Sequence, residues 1–369
     1  MKFLHIADLH LGKRVLEYST LEDARAVVSE IIDIALAEGV DGVLIAGDVY
    51  DRPVPPVEAV SLFSQLLTAL AASRIPVFAV AGNHDSPERL AFGHEILGEQ
   101  GIYIAPACNG RPVRITLEGD VGRVAVHMVS FARPAALRPF LEEAPEGATD
   151  AMRAVLRQVD FGAADVNILL THAFVMGGVS SESEINPVGT AELIPTDVFA
   201  GFDYVALGHL HGPQTVAPGV RYAGSPLKYS FSEVDHVKSV TIVEICEKSA
   251  VTVREIPLHA LHDMREIRGS LAALLGGEYS EDLIRAVVTD EEVPPDARAA
   301  LRTVYPNLMR FVVENSSTRL EEDVTEADRV ENRDPLSLFA EFYERQSGSP
   351  PDEARLAVMK KLLEGEVEL

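Results

Sequence analysis

Five short apolar runs in the first part of the chain each end on a polar cluster. They are residues 3–7, 42–46, 77–81, 166–170 and 204–207. Runs of four to five apolar residues bounded by glycine are typical of fully buried strands. Ligands collect at the carboxyl ends of the strands in α/β sheets, so we expect one shared site. The polar residues that follow the runs are Asp8, His10, Asp48, Asn83, His84, Asp85, His172, His209 and His211.

Helical patterns separate these strands, which predicts parallel-type sheets with helices on both faces. The first spans residues 21–38, with Thr20 as its predicted cap and Gly39 as its end. Further helices are predicted over residues 57–73, 87–99 and 148–160. The apolar stripes of residues 57–73 and 87–99 allow two interpretations, packing onto the sheet or a homodimer bundle, and the residues alone favour packing.

The stretch after His211 predicts the end of the first unit. Strands over residues 220–223 and 239–245 flank the segment 224–229, and residues 251–256 are predicted to complete a second sheet. Residues 177–191 are rich in Gly, Ser and Glu and predict an exposed loop beside the site. We expect this unit to cover residues 1–257.

The rest of the chain predicts three smaller segments. Residues 258–314 have a β-α-β-like pattern, with strands over 283–289 and 309–314 and a helix over 297–304. Residues 315–334 are polar and acidic, which is typical of a linker. Residues 335–369 contain two amphipathic helical patterns, 335–346 and 352–363. Their apolar stripes allow docking on a partner or packing on residues 258–314, and docking is favoured.

Composition narrows the class of protein. The 369 residues are 47% hydrophobic and 24% charged, which is typical of globular proteins. No apolar run approaches the roughly 18 residues of a membrane helix, and the first residues do not resemble a signal peptide. The two cysteines, Cys108 and Cys246, are far apart, which predicts inert thiols in a reducing compartment. We therefore expect a soluble cytoplasmic protein with no membrane contact.

The formal net charge of −25 argues against a protein that coats nucleic acid non-specifically. Phosphate backbones are bound mainly by Lys and Arg, so any contact with nucleic acid must be local. Bound divalent metals and a basic partner could supply the remaining affinity for phosphate.

Seven of the polar residues at the strand ends have metal-binding side chains. Their mixture of O and N donors suits Mn, Fe or Zn better than a dedicated Mg or Ca site. Seven donors are too many for one ion, whereas two metals about 3.5–4 Å apart with a shared carboxylate hydrolyse phosphate esters. Asp48 is the expected bridge. The seven are Asp8, His10, Asp48, Asn83, His172, His209 and His211.

His84 follows Asn83 directly, so in an extended turn the two side chains diverge. We therefore expect His84 to face the substrate, where an imidazolium stabilises developing charge or protonates the leaving oxygen. Asp85 is its expected orienting partner. The histidines outside strand ends are expected to be structural: His5, His94, His127, His236, His259 and His262.

These motifs, in this order, resemble the calcineurin-like metallophosphoesterase signature. It consists of Asp8-x-His10, Gly47-Asp48-x-x-Asp51, Gly82-Asn83-His84-Asp85, Thr171-His172 and Gly208-His209-x-His211. More narrowly, residues 8–12, 47–52 and 222–233 resemble the SbcD family, bacterial nuclease subunits that work with the SbcC coiled-coil ATPase. The resemblance spans nearly the whole chain and weakens after about residue 315.

The resemblance implies an α/β (α+β) fold with a four-layer αββα core of two packed mixed sheets. It implies a small capping domain over residues 258–314 and C-terminal helices that dock on an SbcC-like ATPase. It also implies a Mn-dependent DNA exonuclease and endonuclease, usually a homodimer, which shifts the preference for residues 57–73 and 87–99 to a dimer contact. Mg, Fe or Zn could replace Mn.

The resemblance further implies roles for single residues. Asp8, His10, Asp48 and His211 would hold one Mn ion, and Asp48, Asn83, His172 and His209 the other. His84 would be the catalytic histidine. Substrate contacts are expected from residues in or beside the matching stretches, namely Lys13, Arg14, Arg52, Ser225, Lys228 and Tyr229.

Two other functions remain open on the sequence. A phosphoprotein phosphatase or cyclic-nucleotide phosphodiesterase would use the same metal ligands, but would need no capping domain or partner helices. A non-catalytic scaffold would share the fold, although such proteins typically lose ligands. This chain retains all seven donors and His84.

Overall fold

A computed structural model describes residues 1–184, 192–247 and 250–316, with isolated positions between 336 and 359. Its strands, in chain order, are β1 (Lys2–Ile6), β2 (Arg14–Val15), β3 (Tyr18–Ser19), β4 (Gly42–Ala46), β5 (Val77–Val80), β6 (Ile102–Ile104), β7 (Val113–Gly119), β8 (Gly122–Val129), β9 (Val166–His172), β10 (Tyr204–Gly208), β11 (Gln214–Ala217), β12 (Val220–Tyr222), β13 (Ser239–Glu247), β14 (Ala250–Pro257), β15 (Met264–Gly269), β16 (Leu283–Val288) and β17 (Leu308–Val313). The α-helices are α1 (Leu21–Glu38), α2 (Val57–Ala72), α3 (Pro87–Leu90), α4 (His94–Gly98), α5 (Pro134–Leu137), α6 (Ala148–Leu156), α7 (Leu271–Leu275) and α8 (Ala297–Leu301).

The first large sheet has six strands in the order β14-β13-β1-β4-β5-β6. Strands β1, β4, β5 and β6 run parallel, so their carboxyl ends share one edge. Strand β1 also pairs with β13 in the antiparallel direction, with Phe3 opposite Val243. Asp8 and Asp48 follow neighbouring parallel strands, which brings them together at that edge.

The second large sheet also has six strands, in the order β11-β12-β10-β9-β8-β7. Strands β8, β9, β10 and β12 are parallel, and β7 and β11 pair in the antiparallel direction at the two edges. Gly208 of β10 lies opposite His172 of β9. The donors that follow β10 are therefore beside those at the end of β9.

Three apolar cores separate four layers. Between the two sheets lie buried residues such as Phe3, Phe78 and Tyr204. Helices α1 and α2 cover the outer face of the first sheet, and α6 covers that of the second. The expected αββα core of two mixed sheets is confirmed.

A small third sheet follows the core, with parallel strands in the order β15-β16-β17 and helices α7 and α8 in the connections. Strand β15 and helix α7 were not predicted from the sequence. The Lys228 ammonium lies 2.9 Å from the Asp263 carboxylate, and the Tyr18 hydroxyl lies 2.8 Å from Nδ1 of His262. These polar contacts join the core to this unit.

Several sequence-based predictions of single elements were wrong. Residues 251–256 do not complete the second sheet, because β14 pairs with β13 at the edge of the first. The predicted helix over 87–99 is two short helices, since Gly93 has φ of 71° and interrupts the helical hydrogen bonds. Helix α6 ends at Leu156 instead of residue 160. Thr20 does not cap α1, because its hydroxyl donates to the Lys13 carbonyl.

Some predicted segments lie outside the described residues. They include residues 185–191 of the predicted loop, nearly all of the predicted linker over 315–334, and most of the two predicted C-terminal helices. Within the described part of the chain, no helix is long and apolar enough to cross a membrane. Cys108 and Cys246 are free, as expected.

Candidate metal centre

The facing edges of the two large sheets carry the predicted metal ligands. Four of these ligands adopt a left-handed backbone, with φ of 54° at Asp8, 40° at His10, 47° at Asp48 and 114° at His209. Positive φ is uncommon for residues other than glycine and is often found at functional sites. The backbone therefore turns sharply at the ends of β1, β4 and β10 and directs successive side chains into the same space.

Glycines allow the loops to approach each other closely. A Cβ at Gly82 would lie 2.1 Å from Oδ1 of Asp48, and one at Gly47 would lie 2.5 Å from Nδ1 of His172. Gly47 also has φ of 89°, which disfavours a side chain. Any larger residue at either position would displace a candidate ligand.

Asp8, His10 and His211 form the first group of donors. Their ligand atoms lie within 4.8 Å of one another, and all three residues are buried. The Nε2 atoms of His10 and His211 are 3.2 Å apart. The backbone N–H of His209 donates to both carboxylate oxygens of Asp8 at 3.1 Å, which fixes the carboxylate in place.

Asn83, His172 and His209 form the second group. Oδ1 of Asn83 lies 2.9 Å from Nε2 of His172 and 3.1 Å from Nδ1 of His209. The two ring nitrogens are 3.3 Å apart. Nδ1 of His172 contacts the Ala46 carbonyl at 2.9 Å, which assigns its proton to Nδ1 and leaves Nε2 available as a ligand.

The Asp48 carboxylate lies between the two groups. Its Oδ2 atom is 3.7 Å from Nε2 of His10 and 3.6 Å from Nε2 of His172. Its Oδ1 atom accepts a hydrogen bond of 2.9 Å from the backbone N–H of His84. Asp48 is therefore the carboxylate that connects the donors of both sheets.

The charges of this site favour a bound cation. Burial raises the pKa of Asp8 well above its ordinary value, and the Asp48 carboxylate raises it further. Burial also raises the pKa of Asp48, to about 6, and lowers that of His172 to about 3. A divalent cation favours ionised carboxylates and binds neutral imidazoles, so the donor set fits a divalent metal.

His84 lies beside these donors. Its Nδ1 atom contacts the Asp51 carbonyl at 2.9 Å, and Nε2 lies 4.0 Å from Oδ2 of Asp48. Its side chain is partly exposed, unlike the imidazole of His172. The ring thus presents Nε2 toward the space where a substrate would meet the metal ligands.

The Asp85 carboxylate has a different environment from the one expected. It accepts hydrogen bonds from the backbone N–H groups of Val49, Tyr50 and Gly82, at 3.1, 2.9 and 2.9 Å. Burial raises its pKa to about 7, and the Asp48 carboxylate contributes, although these N–H groups oppose the shift. Asp85 thus joins the two loops that carry Asp48 and His84, while the Asp51 carbonyl contacts the His84 ring.

A buried polar cluster supports His211, and the sequence reasoning missed it. Nδ1 of His211 lies 3.2 Å from Oε1 of Glu233 and 2.8 Å from Oγ of Ser183. Lys238 donates to Oε2 of Glu233 at 2.6 Å, and Glu184 accepts from the backbone N–H of His211 at 2.6 Å. Burial favours a raised pKa for Glu233, but the His211 contact and the Lys238 ammonium outweigh it and lower the pKa well below its usual range.

The six residues predicted to contact substrate occupy two kinds of environment. Lys13 pairs with Asp51 at 2.6 Å, and Arg52 is exposed beside the same carboxylate. Tyr229 is buried, its ring packs on His10 with a centroid distance of 5.3 Å, and its hydroxyl donates to the Leu9 carbonyl at 2.6 Å. Arg14 is exposed and donates to the Glu17 carbonyl.

The other two residues are engaged inside the protein. The Ser225 hydroxyl is buried and donates to the Leu227 carbonyl at 2.8 Å. The Lys228 ammonium donates to the Val234 carbonyl at 2.8 Å. Contact of all six residues with substrate stays a prediction.

The fold and the donor set define a class of protein. The family model described as calcineurin-like phosphoesterase matches residues 1–213, which contain all seven donors. A second model, described as type 5 capsule protein repressor C-terminal domain, matches residues 260–347. The protein is thus a calcineurin-like phosphoesterase, which is a metal-dependent phosphodiesterase. Its histidines and aspartates lie where two packed mixed sheets meet.

One curated relative narrows this class. The SbcD subunit of nuclease SbcCD from Staphylococcus saprophyticus is 30% identical over 362 residues, which cover 94% of each chain. The chain belongs to the SbcD family.

Solved structures of more distant phosphoesterases are also similar. The calcineurin-like phosphoesterase YfkN from Bacillus subtilis is 14% identical, with a TM-score of 0.37 over 70% of this chain and 89% of that one. A dimetal phosphatase from Danio rerio is 13% identical, with a TM-score of 0.43 over 71% of this chain and 98% of that one.

Proposed function

We propose that this protein is a Mn-dependent DNA exonuclease and endonuclease that hydrolyses phosphodiester bonds at a two-metal centre. The position of Asp48 carries this proposal, because its Oδ2 atom is nearly equidistant from a histidine of each donor group. A carboxylate between two sets of N and O donors is the arrangement that two-metal phosphoesterases need. The nuclease relative supports DNA as the substrate.

Asp8, His10, Asp48 and His211 would hold one metal, and Asp48, Asn83, His172 and His209 the other. Metals bound there would neutralise the phosphate and lower the pKa of a bound water. The mixture of donors suits Mn, with Fe, Zn or Mg as alternatives to be tested.

His84 and its neighbours act on the substrate from one side of the centre. The contact of Nδ1 with the Asp51 carbonyl leaves Nε2 of His84 to donate to the leaving oxygen or to a phosphate oxygen. Asp85 acts as a positioning residue, because it binds backbone N–H groups of both the Asp48 loop and the His84 loop. We propose Lys13, Arg14 and Arg52 as contacts for the DNA backbone and keep Tyr229, Ser225 and Lys228 as further candidates.

We also propose that the protein forms a homodimer through α2 and the segment around α4. Phe92 is 85% exposed, and Ile96 of α4, at 73%, and Val57 and Val60 of α2, at 77% and 44%, are exposed as well. If these apolar side chains form one patch, it would be typical of an interaction surface. Phe92→Asp should shift the protein from dimer to monomer in sedimentation analysis, whereas Phe140→Asp, which changes an exposed phenylalanine elsewhere, should not.

The proposed partner is an SbcC-like coiled-coil ATPase, with residues 335–369 as the docking segment. Deletion of these residues should leave Mn-dependent cleavage of single-stranded DNA near normal and remove ATP-stimulated action on duplex ends. Undiminished co-purification of the truncated chain with the ATPase would contradict this assignment. Such a complex would act in the cytoplasm, in the processing of DNA ends.

The central experiment compares linear single- and double-stranded DNA with phosphopeptides and cyclic nucleotides as substrates. Each is incubated with the metal-free protein, and Mn, Mg, Fe or Zn is then added. We expect Mn-dependent cleavage of DNA at a far higher kcat/KM than hydrolysis of either small ester. Preference for a phosphopeptide or cyclic nucleotide would replace the nuclease proposal, and metal binding without hydrolysis would indicate a scaffold.

A further inference from the structure

An apolar cavity of about 160 Å³ lies between the end of β9 and helix α6. Its wall contains the aliphatic side chains of Leu137, Met152, Val155 and Ile194. This volume is below the roughly 300–1,000 Å³ of pockets for drug-sized ligands. The cavity therefore suits one flat ring system better than an extended ligand.

The cavity reaches the second donor group. Asn83, His172 and His209 are part of its lining, together with Phe131 and Phe174. The Phe131 ring meets His172 edge-on, with a centroid distance of 6.3 Å, and the Phe174 ring is 5.5 Å from that of His209. Both phenylalanines are only partly buried, and their rings line the cavity.

The two sides of the metal centre thus offer different surfaces to a bound phosphodiester. On the side of His84 lie the charged groups of Lys13, Asp51 and Arg52. On the side of His209 lies the apolar cavity. A phosphodiester bound between the two donor groups would place one nucleoside on the His84 side and the other on the His209 side. The proposed hydrolysis gives the apolar cavity on the His209 side no role.

A nucleobase matches this cavity in shape and chemistry. Bases stack on aromatic side chains in proteins that bind single strands, and the contact tolerates every base because each has a π-face. A base within a duplex is stacked on its neighbours and cannot enter such a recess without being unstacked. The two acidic or basic side chains of the lining that are exposed, Arg133 and Glu192, do not make the cavity wall polar. An uncharged base therefore fits it.

We propose that this cavity binds the unstacked base of the nucleotide next to the scissile phosphate, on the side away from His84. Phe131 and Phe174 form its aromatic wall and orient the phosphodiester for attack. This inference rests on the proposed nuclease function. It predicts that the protein prefers single-stranded or frayed DNA. Cleavage should require a base at this position but should not depend on which base it is.

The test uses single-stranded oligonucleotides that contain one ordinary phosphodiester among nuclease-resistant phosphorothioate linkages. An abasic nucleotide replaces the residue on the 5′ or the 3′ side of that bond. With Mn, the wild-type protein should lose about 5- to 150-fold in kcat/KM for one of the two abasic positions, and little for the other. Equal rates on intact DNA and both abasic substrates would overturn the proposal and leave the nuclease function standing.

Variants of the wall make the test specific. Phe174→Ala should lower kcat/KM on intact DNA by a similar factor and cause no further loss on the sensitive abasic substrate. Phe140→Ala changes a phenylalanine that is 57% exposed and outside the cavity, and should behave as wild type on every substrate. If the losses caused by Phe174→Ala and by base removal were additive, the Phe174 ring and the base would not contact each other. This result would overturn the proposal.

A second variant guards against disturbance of the neighbouring His209. Metal binding by Phe174→Ala is measured by calorimetry, and Ala148→Leu, which narrows the cavity from the start of α6, is assayed in parallel. Ala148→Leu should also have a lower kcat/KM than the wild type on intact DNA. On the sensitive abasic substrate, its kcat/KM should equal that of the wild type. If the wild-type protein cleaves no oligonucleotide, the nuclease function and the base cavity both fall.

Discussion

The two donor groups of the metal centre differ in what surrounds their imidazoles. His211, in the first group, contacts the buried carboxylate of Glu233, which in turn binds the Lys238 ammonium. In the second group, Nδ1 of His172 contacts a main-chain carbonyl, and the rings of His172 and His209 meet phenylalanines. A charged pair thus supports His211 in the first group, whereas a backbone carbonyl supports His172 in the second. Aromatic rings border both groups.

We infer from this difference that the two donor groups have different functions. A carboxylate behind a histidine raises the basicity of the ligand and fixes its orientation, so the first half is built to retain a metal. The second half has an apolar cavity beside its donors, where we propose that part of a substrate binds. The following variants test this division.

The first prediction concerns the residue that both halves share. Asp48→Ala should abolish metal binding in both groups and reduce hydrolysis to the background rate, because Asp48 lies between His10 and His172. Calorimetric titration with Mn measures the number of metals per chain. Asp197→Ala, which removes an exposed carboxylate paired with Arg153, is the control. Two metals bound to Asp48→Ala would contradict the bridging role.

The second prediction separates catalysis from metal retention. His84→Ala should lower kcat by about 10²–10⁴-fold, the usual effect of removing a general acid or a charge-stabilising donor. Its metal content should equal that of the wild type, since Nδ1 of His84 contacts a carbonyl and not a ligand. Parallel loss of metal and activity would instead identify His84 as a ligand.

The third prediction distinguishes the two halves. Glu233→Gln should weaken metal binding at the Asp8, His10 and His211 group by about 10- to 100-fold, the usual effect of losing the partner of a ligating histidine. The other group should retain its affinity. Glu255→Gln, which changes an exposed carboxylate paired with Arg221, serves as the matched variant. Equal weakening of both groups would contradict the division between them.

The smallest expected effect concerns a histidine outside both groups. His5 lies between the two sheets, where burial lowers its pKa from 6.5 to about 3. The unfolded chain therefore takes up a proton below pH 6.5 that the folded chain does not bind, and the free energy of unfolding falls as the pH drops toward 3. The slope is at most about 1.4 kcal/mol per pH unit for this group.

His5→Gln removes this proton uptake and can keep a hydrogen bond to Tyr204. Between pH 7 and pH 4, urea unfolding of the metal-free variant should lose about 2–3 kcal/mol less stability than the wild type. The histidines proposed to bind metal are the same in both proteins, so the difference isolates His5. An identical pH dependence would show that its buried ring does not control acid stability.

Much of the site follows from local sequence. Each apolar run ends on its polar residues, and the parallel register of β1 with β4 and of β9 with β10 places those residues at one edge. The prediction was possible because strand ends and their polar residues are adjacent along the chain. Helices α1 and α2 were also predicted, because a long amphipathic stripe is a local pattern along the chain.

What the sequence did not predict depends on distant packing. Glu233 ends a stretch that resembles the SbcD family, but neither Glu233 nor Lys238 follows a strand end, and only the fold brings them to His211. The cavity beside His209 combines side chains from separate segments, none with a motif of its own. The assignment of β14 to the wrong sheet has the same cause, because a pattern of alternating residues does not reveal which strand lies beside it.

The late position of β13 has a consequence for biosynthesis. All seven donors precede residue 212, yet β13, Ser239–Glu247, lies beside β1 in the interior of the first sheet. Ribosomes add about 5–20 residues per second, so the nascent chain spends an interval of seconds with every donor made and β1 still unpaired on one side. We expect translation that stops in this interval to release a chain without hydrolytic activity. The order of strands thus delays activity until residue 247 of the 369 has been made.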